Sequence, residues 1–415
     1  MTIALGPESQ LTCMMMFRQA DLESDFAHYA LAEKLDRLAL KGLASEGEVL
    51  MTLRVREQLV RALSYQGGTN KKEEALRLAQ GNVPLAEKLD EKKHSMHHEE
   101  LVYALDWLAY SYGGCKQIDK ANETYEKMIA LLQSNPRKVQ AIADALLAEA
   151  RLEKERKNFE AAQVLYERAI KANPGATGPY FARAASFRDR GKDELAIADY
   201  QTIIRLEPKK RSTWRILAKM YDEKGAVAKA LECADAFVKL DPKISSGYAL
   251  RAEILEKSGQ LDQAIADATK AVDACNPKDV NAAGGYHIDR GNIYLHAGKY
   301  KEALSDFGLA LATLSDSSYC LRCRADTYEK LHDYQKEIDD LGAAIKIEMV
   351  HNETSASDYY SDSYGPPYAI KLYEQRARAY KALGKKSQAA GDDQAAAKLK
   401  ADWQKKRVAN PAESE

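Results

Sequence analysis

Apolar positions along the chain follow a short beat inside a long one. Between Tyr180 and Phe187, and again between Leu195 and Leu206, large and small apolar residues recur at helical spacing with charged residues between them. Gly191 separates the two stretches and suits a left-handed helix C-terminus. Pro208 follows the second stretch and discourages its continuation. The pattern predicts one helix–turn–helix unit over Thr177–Lys210. The unit then repeats: Pro174, Pro208 and Pro242 stand 34 residues apart, and so do Gly191, Gly225 and Gly259. A period of this length marks a two-helix repeat whose copies stack along one axis and share a continuous core.

Within that period the order of residue sizes resembles the tetratricopeptide repeat. The regular unit reads Tyr180, Ala184, Phe187, Ala196, Tyr200, Ile203 and Pro208; the next reads Trp214, Ala218, Tyr221, Ala230, Ala234, Phe237 and Pro242. The preceding unit gives Leu146, Ala150, Glu153, Ala162, Tyr166, Ala169 and Pro174; the following one gives Tyr248, Ala252, Leu255, Ala264, Ala268, Ala271 and a late Pro277. Small residues let the two helices of a hairpin approach, and large ones fill the gap to the next hairpin. The resemblance implies an all-α, right-handed superhelical solenoid of about nine helix-turn-helix repeats. The stretch Pro84–Leu132 is similar to the longer repeat of kinesin light chains.

The beat is less regular outside its centre. A short insertion falls near Asn276–Gly285, His332 occupies a glycine slot, and a longer insertion precedes the final unit, which carries Tyr373, Ala377, Tyr380, Ala389 and Ala396. These shifts divide the chain into an N-terminal helical cap (1–46), degenerate repeats (47–142), regular repeats (143–279), further repeats with a Tyr-rich loop at 349–368 (280–405), and a tail (406–415). The loop, which includes Asp358, Tyr359, Tyr360, Tyr364 and Tyr368, reads as a flexible surface insertion or a partner-docking segment.

Composition narrows the function classes. The 415 residues hold 61 basic and 62 acidic side chains, a net charge of −1, which gives no general support for nucleic acid or anionic lipid as a partner. No stretch approaches the length of an apolar membrane span, so no membrane insertion is expected. The Met1 end lacks a basic segment followed by an apolar run. The expectation is therefore a cytoplasmic protein, exported only if the true N-terminus lies upstream of Met1. Six cysteines in a chain this long are not a disulfide framework.

Two constellations invite chemistry. His94 and His98, inside His94–Glu100, have the spacing that puts two imidazoles on one helical face for a divalent metal. Ser95 departs from a His-Glu-x-x-His motif, and a solvated loop is the better reading. Cys320 and Cys323 form a lone Cys-x-x-Cys inside a first helix, with no strand before it, so small packing residues are expected there. No phosphate loop, nucleophile elbow or paired carboxylates stand out. No catalytic residue, metal or cofactor is therefore assigned.

In the resembled family the first helix of each repeat lines a concave groove. Carried over, that face holds Arg151, Lys154, Arg188, Arg215, Lys219, Asp222, Glu253, Glu256, Asn292 and Arg322. It is basic in the centre and more acidic further on, a zoning that suits an extended peptide of complementary charge. The carboxylate clamp of the chaperone-binding subset is not matched: Ile288 stands in the slot of its first Lys and Cys323 in that of an Asn. The leading expectation is a non-enzymatic scaffold that binds a protein or peptide segment, its identity unknown. The alternative is an accessory subunit whose catalysis lies on another chain, and metal or thiol chemistry at the two constellations is a weaker third.

Overall fold

The computed structural model describes residues 10–43, 49–93, 98–133, 135–276, 278–354 and 368–409, and it divides into two compact units that meet after Pro208. All regular structure among these residues is helical. Unit 1 pairs α1 (Gln10–Asp25) with α2 (Tyr29–Leu43), and α3 (Val49–Gln66) with α4 (Thr69–Lys93). It continues with α5 (Glu99–Gly114) and α6 (Ile118–Gln133), α7 (Val139–Glu155) and α8 (Phe159–Ala172), then α9 (Thr177–Arg188) and α10 (Asp193–Leu206).

Unit 2 has the same plan. Its pairs are α11 (Arg211–Glu223) and α12 (Val227–Leu240), α13 (Ser245–Lys257) and α14 (Leu261–Asp273), and α15 (Val280–His296) and α16 (Tyr300–Thr313). They are followed by α17 (Ser318–Lys330) and α18 (Tyr334–Thr354), and by α19 (Tyr368–Ala382) and α20 (Lys386–Ala409). Within each unit every helix packs mainly on its sequence neighbours, which is the repeat architecture the 34-residue period predicts.

The packing follows the residue sizes. Ala184, Ala196, Ala218, Ala230 and Ala264 are fully buried where two helices of one hairpin meet. Tyr200, Ile203, Leu217 and Phe307 are among the largest fully buried side chains. The turn inside each hairpin passes through a residue of positive φ, or two at Gly67 and Gly68: at Gly191 (φ 65°) the Lys192 amide donates to the Phe187 carbonyl over 2.9 Å, closing the end of α9. The same slot holds Lys116, Lys157 and His332 with φ of 59°, 62° and 59°. His332 thus takes the left-handed conformation its place in the beat implied.

Three expectations shift. The N-terminal segment, expected as a helical cap beside about nine repeats, is a full hairpin, α1 on α2, so the described residues hold ten helical pairs. Pro84, the first residue of the segment similar to the kinesin light chain repeat, lies inside α4 and not at an element boundary. The buried register of Ala75, Ala79, Asn82 and Ala86 runs across it, so packing on both faces holds the helix through the missing hydrogen bond. Met349–Thr354, assigned to the Tyr-rich loop, continue α18. Ile345 is buried there, Glu348 accepts from the Ser318 hydroxyl, and no Gly or Pro interrupts before Gly365. Residues 355–367 of that loop, Pro277, and His94–His97 of the histidine cluster lie outside the described residues.

Candidate functional site

In unit 2 the first helices α11, α13, α15 and α17 border an open cavity of about 430 Å³. It gathers Arg215 and Lys219 from α11, Glu253 and Glu256 from α13, and Asn292 from α15. Five residues picked from the groove face are thus brought to one place. The sixth neighbour, Asp222, stands at the rim: the Lys257 ammonium donates to its Oδ2 over 2.7 Å and to Glu253 Oε1 over 2.8 Å. Those two bonds raise Lys257 well above the ordinary lysine range. Glu256 Oε1 is 2.7 Å from His296 Nδ1, and the Asn292 amide donates to the Tyr319 hydroxyl over 3.3 Å.

Sequence reasoning missed Asp289, which lines the same cavity. Solvent reaches it from the open side, while protein on its flanks removes much of its hydration. That desolvation, with Glu253 and Glu256 nearby, pushes its carboxyl up to about 6. The signal was available: Tyr286, Asp289 and Asn292 recur at three-residue spacing, on one face of α15. The cavity therefore has a basic wall and an acidic wall, with Tyr286 and Tyr319 supplying aromatic edges.

The remaining candidates are placed elsewhere. Arg151 lines a separate cavity in unit 1 with Tyr110, Lys72 and Lys116. The Lys154 ammonium is bound to Asp189 Oδ2 at 2.6 Å, and Arg188 is exposed beside Tyr200. Arg322 does not line the unit 2 cavity but stacks on Tyr319, which does. Its guanidinium lies 5.4 Å from the Tyr319 ring and 5.9 Å from the Tyr368 ring, and it bonds Asp326 at 2.9 Å.

The thiol constellation is a packing feature. Cys320 and Cys323 are both buried, the Cys320 thiol faces the Phe307 carbonyl at 3.7 Å, and burial pushes that thiol up to about 12. Such a thiol is protonated at neutral pH and is a poor nucleophile. Among the described residues no three His, Cys, Asp or Glu side chains are placed to hold a metal ion. Among the same residues no helix is long and apolar enough to cross a membrane.

A second pattern unread in the sequence is a ladder of arginine–aspartate pairs, each sixteen residues apart. Arg183–Asp199, Arg251–Asp267, Arg290–Asp306, Arg324–Asp340 and Arg376–Asp392 each join the first helix of a hairpin to its second through two parallel bonds of 2.6–2.9 Å. The fork geometry fixes the angle between the helices as well as neutralising the charge. In the hairpin of α11 and α12 the same two positions are Leu217 and Cys233, both buried.

A family model described as tetratricopeptide repeat matches residues 147–211, 181–244, 217–280 and 250–319 in overlapping register. The chain carries tetratricopeptide repeats over residues 147–319. The matched repeats run from α7 to the start of α17, and they include the whole of the unit 2 cavity's acidic wall. Among solved structures this tetratricopeptide repeat protein is similar to YrrB, titled a TPR protein with an unusual peptide-binding site, at 20% identity and TM-score 0.36, over 45% of this chain and 94% of that one. It is also similar to a tetratricopeptide repeat protein from Parabacteroides merdae (15% identity, TM-score 0.41, 61% and 96% covered). A third is pilF of Pseudomonas aeruginosa (14% identity, TM-score 0.39, 53% and 95% covered). A comparison with curated proteins finds no match.

Proposed function

We propose that this tetratricopeptide repeat protein is an interaction scaffold that docks an extended peptide segment in the unit 2 cavity. One observation carries the reading: Arg215 and Lys219 face Glu253, Glu256 and Asp289 across a single open groove. Glu253 and Glu256 already hold Lys257 and His296, so Asp289 is the carboxylate left to take a new cation. Arg215 and Lys219 are exposed on α11 and would receive an acidic side chain. The segment is thus read by charge order, acidic at the α11 end and basic at the α15 end. Complementary zoning of this kind steers encounter and fixes direction more than it adds affinity.

A peptide library displayed on phage tests this reading. Selection on the wild type should enrich segments in which acidic and basic residues occur in that order. The Arg215→Glu/Lys219→Glu variant should shift the acidic position towards basic residues. Enrichment without charge order, or the same sequences from both proteins, would overturn the proposal.

A further inference from the structure

In unit 1 the first helices α1, α3 and α5 enclose a cavity of about 330 Å³, separate from the unit 2 groove. Two neighbours on α3, Glu57 and Gln58, form part of its lining, and they are only 4% and 7% exposed. Glu57 Oε1 and both polar atoms of the Gln58 amide are buried without a hydrogen-bond partner. Buried polar groups in folded proteins are almost always paired, so three unfilled atoms at one cavity need an explanation.

Another buried glutamate of the same unit is fully partnered. Glu153 on α7 is also buried, and it accepts from the Asn122 amide at 2.5 Å, from Arg156 Nε at 2.8 Å and from the Asn158 amide at 2.7 Å. Among the described residues no hydrogen-bond partner reaches Glu57 Oε1, and Arg54 acts on the carboxyl only through its charge. Arg61, one turn further along α3, is held by Asp25 at 3.1 Å and Asp21 at 3.7 Å. The unfilled atoms comprise two acceptors and one donor, and the Tyr103 ring stands half exposed at the same cavity. An ammonium fits the two acceptors and can rest on the aromatic face, and a nearby carbonyl fits the donor. Asp21, Glu99 and Glu100 also line the cavity and outnumber its cations, Arg54 and Arg61.

We propose that the cavity between α1, α3 and α5 is a second recognition site, which takes the ammonium of a lysine side chain in a partner peptide. The ammonium donates to Glu57 Oε1 and Gln58 Oε1, and the Gln58 amide donates to a backbone carbonyl of the same peptide. Burial raises the Glu57 carboxyl while the site is empty, and an arriving cation offsets that burial by pairing with it.

The test is a titration of the full chain with acetyl-Ala-Ala-Lys-Ala-Ala-amide and with its norleucine and Nε-acetyllysine counterparts. It is followed through the Gln58 side-chain amide signal in nitrogen-15 NMR spectra, assigned with Gln58→Leu. The lysine peptide should move that signal and bind at least tenfold more tightly than the other two. Glu57→Gln should weaken it at least tenfold without lowering the melting temperature, since glutamine matches the shape of the protonated carboxyl that burial favours in the empty site. Asp289→Lys, which disables the unit 2 groove, should leave the titration unchanged. Equal binding of the lysine and norleucine peptides, unaltered binding by Glu57→Gln, or loss of binding in Asp289→Lys alone would each overturn the proposal. Failure of the charge-ordered selection in unit 2 leaves these outcomes untouched.

Discussion

The arginine–aspartate ladder of unit 2 and the N-terminal half of unit 1 bury carboxyl groups in opposite ways. In unit 2, Asp267, Asp306, Asp340 and Asp392 are buried, and each is clasped by an arginine sixteen residues earlier. In unit 1, Asp36 is fully buried with neither carboxyl oxygen bonded, and Glu57 leaves one oxygen unfilled. Burial pushes both carboxyls up to about 8, with Asp21 contributing at Asp36. The turns differ in the same sense. Within the described hairpins unit 2 has glycine at four of five positive-φ turns, the fifth being His332, whereas in unit 1 Ala27, Lys116 and Lys157 close α1, α5 and α7 and glycine closes only α3 and α9. A paired carboxylate holds a hairpin at a set angle. An unpaired one, like a strained turn, trades stability for something else, which at Glu57 we read as binding.

The contrast breaks most visibly at the ladder. Arg324→Leu leaves Asp340 buried without its partner and should lower stability by about 3 kcal/mol, the low end for a broken buried pair, because the arginine is 26% exposed. Adding Asp340→Cys reproduces the Leu217 and Cys233 pair of the α11–α12 hairpin, and should recover most of that loss. A double-mutant cycle by denaturant unfolding measures both. Additive losses would mean that the pair is not a unit.

A middle-sized effect sharpens the other side. Because Asp36 and Glu57 keep protons in the folded state up to about pH 8, but lose them near pH 4 when unfolded, folding takes up protons between those limits. Unit 1 should therefore lose stability as pH rises through that window and level off above it. The transition assigned to unit 1 by limited proteolysis should fall by at least roughly 4 °C between pH 5.5 and 8.5. Asp36→Asn should flatten the slope. The smallest change is Lys157→Gly, which relieves a φ of 62° and should raise stability by about 1 kcal/mol. A thermal scan showing a lower midpoint would mean that the lysine side chain packs usefully there.

Much of the fold was legible because it is written locally. The glycine beat, the small residues of each hairpin and the helical apolar register are properties of single segments. Even so, the segment similar to the kinesin light chain repeat was begun at Pro84, inside α4, since the chain around it cannot show that α3 and α5 both press on α4. The site was half legible. Arg215, Lys219, Glu253, Glu256 and Asn292 followed from the face of the first helices, whereas Asp289 lay one step along that face and was passed over. The ladder was also readable in the spacing of Arg and Asp, but in a chain rich in both it does not stand out until the bonds are seen.

By itself, the sequence determined the two-helix repeat, its period and the residue type at each packing position. These depend on backbone preferences and side-chain volumes that every copy carries with it. The tertiary structure alone decided which charges have partners. In the sequence, Arg-Glu-Gln over residues 56–58 resembles any solvated helix face, as does Glu153 among its charged neighbours. Only the stacking of neighbouring hairpins brings Asn122, thirty-one residues away, to Glu153 and leaves Glu57 with an unfilled oxygen at an open cavity. Helical periodicity is set along one segment, whereas satisfaction of a buried polar atom depends on distances and rotamers contributed by several.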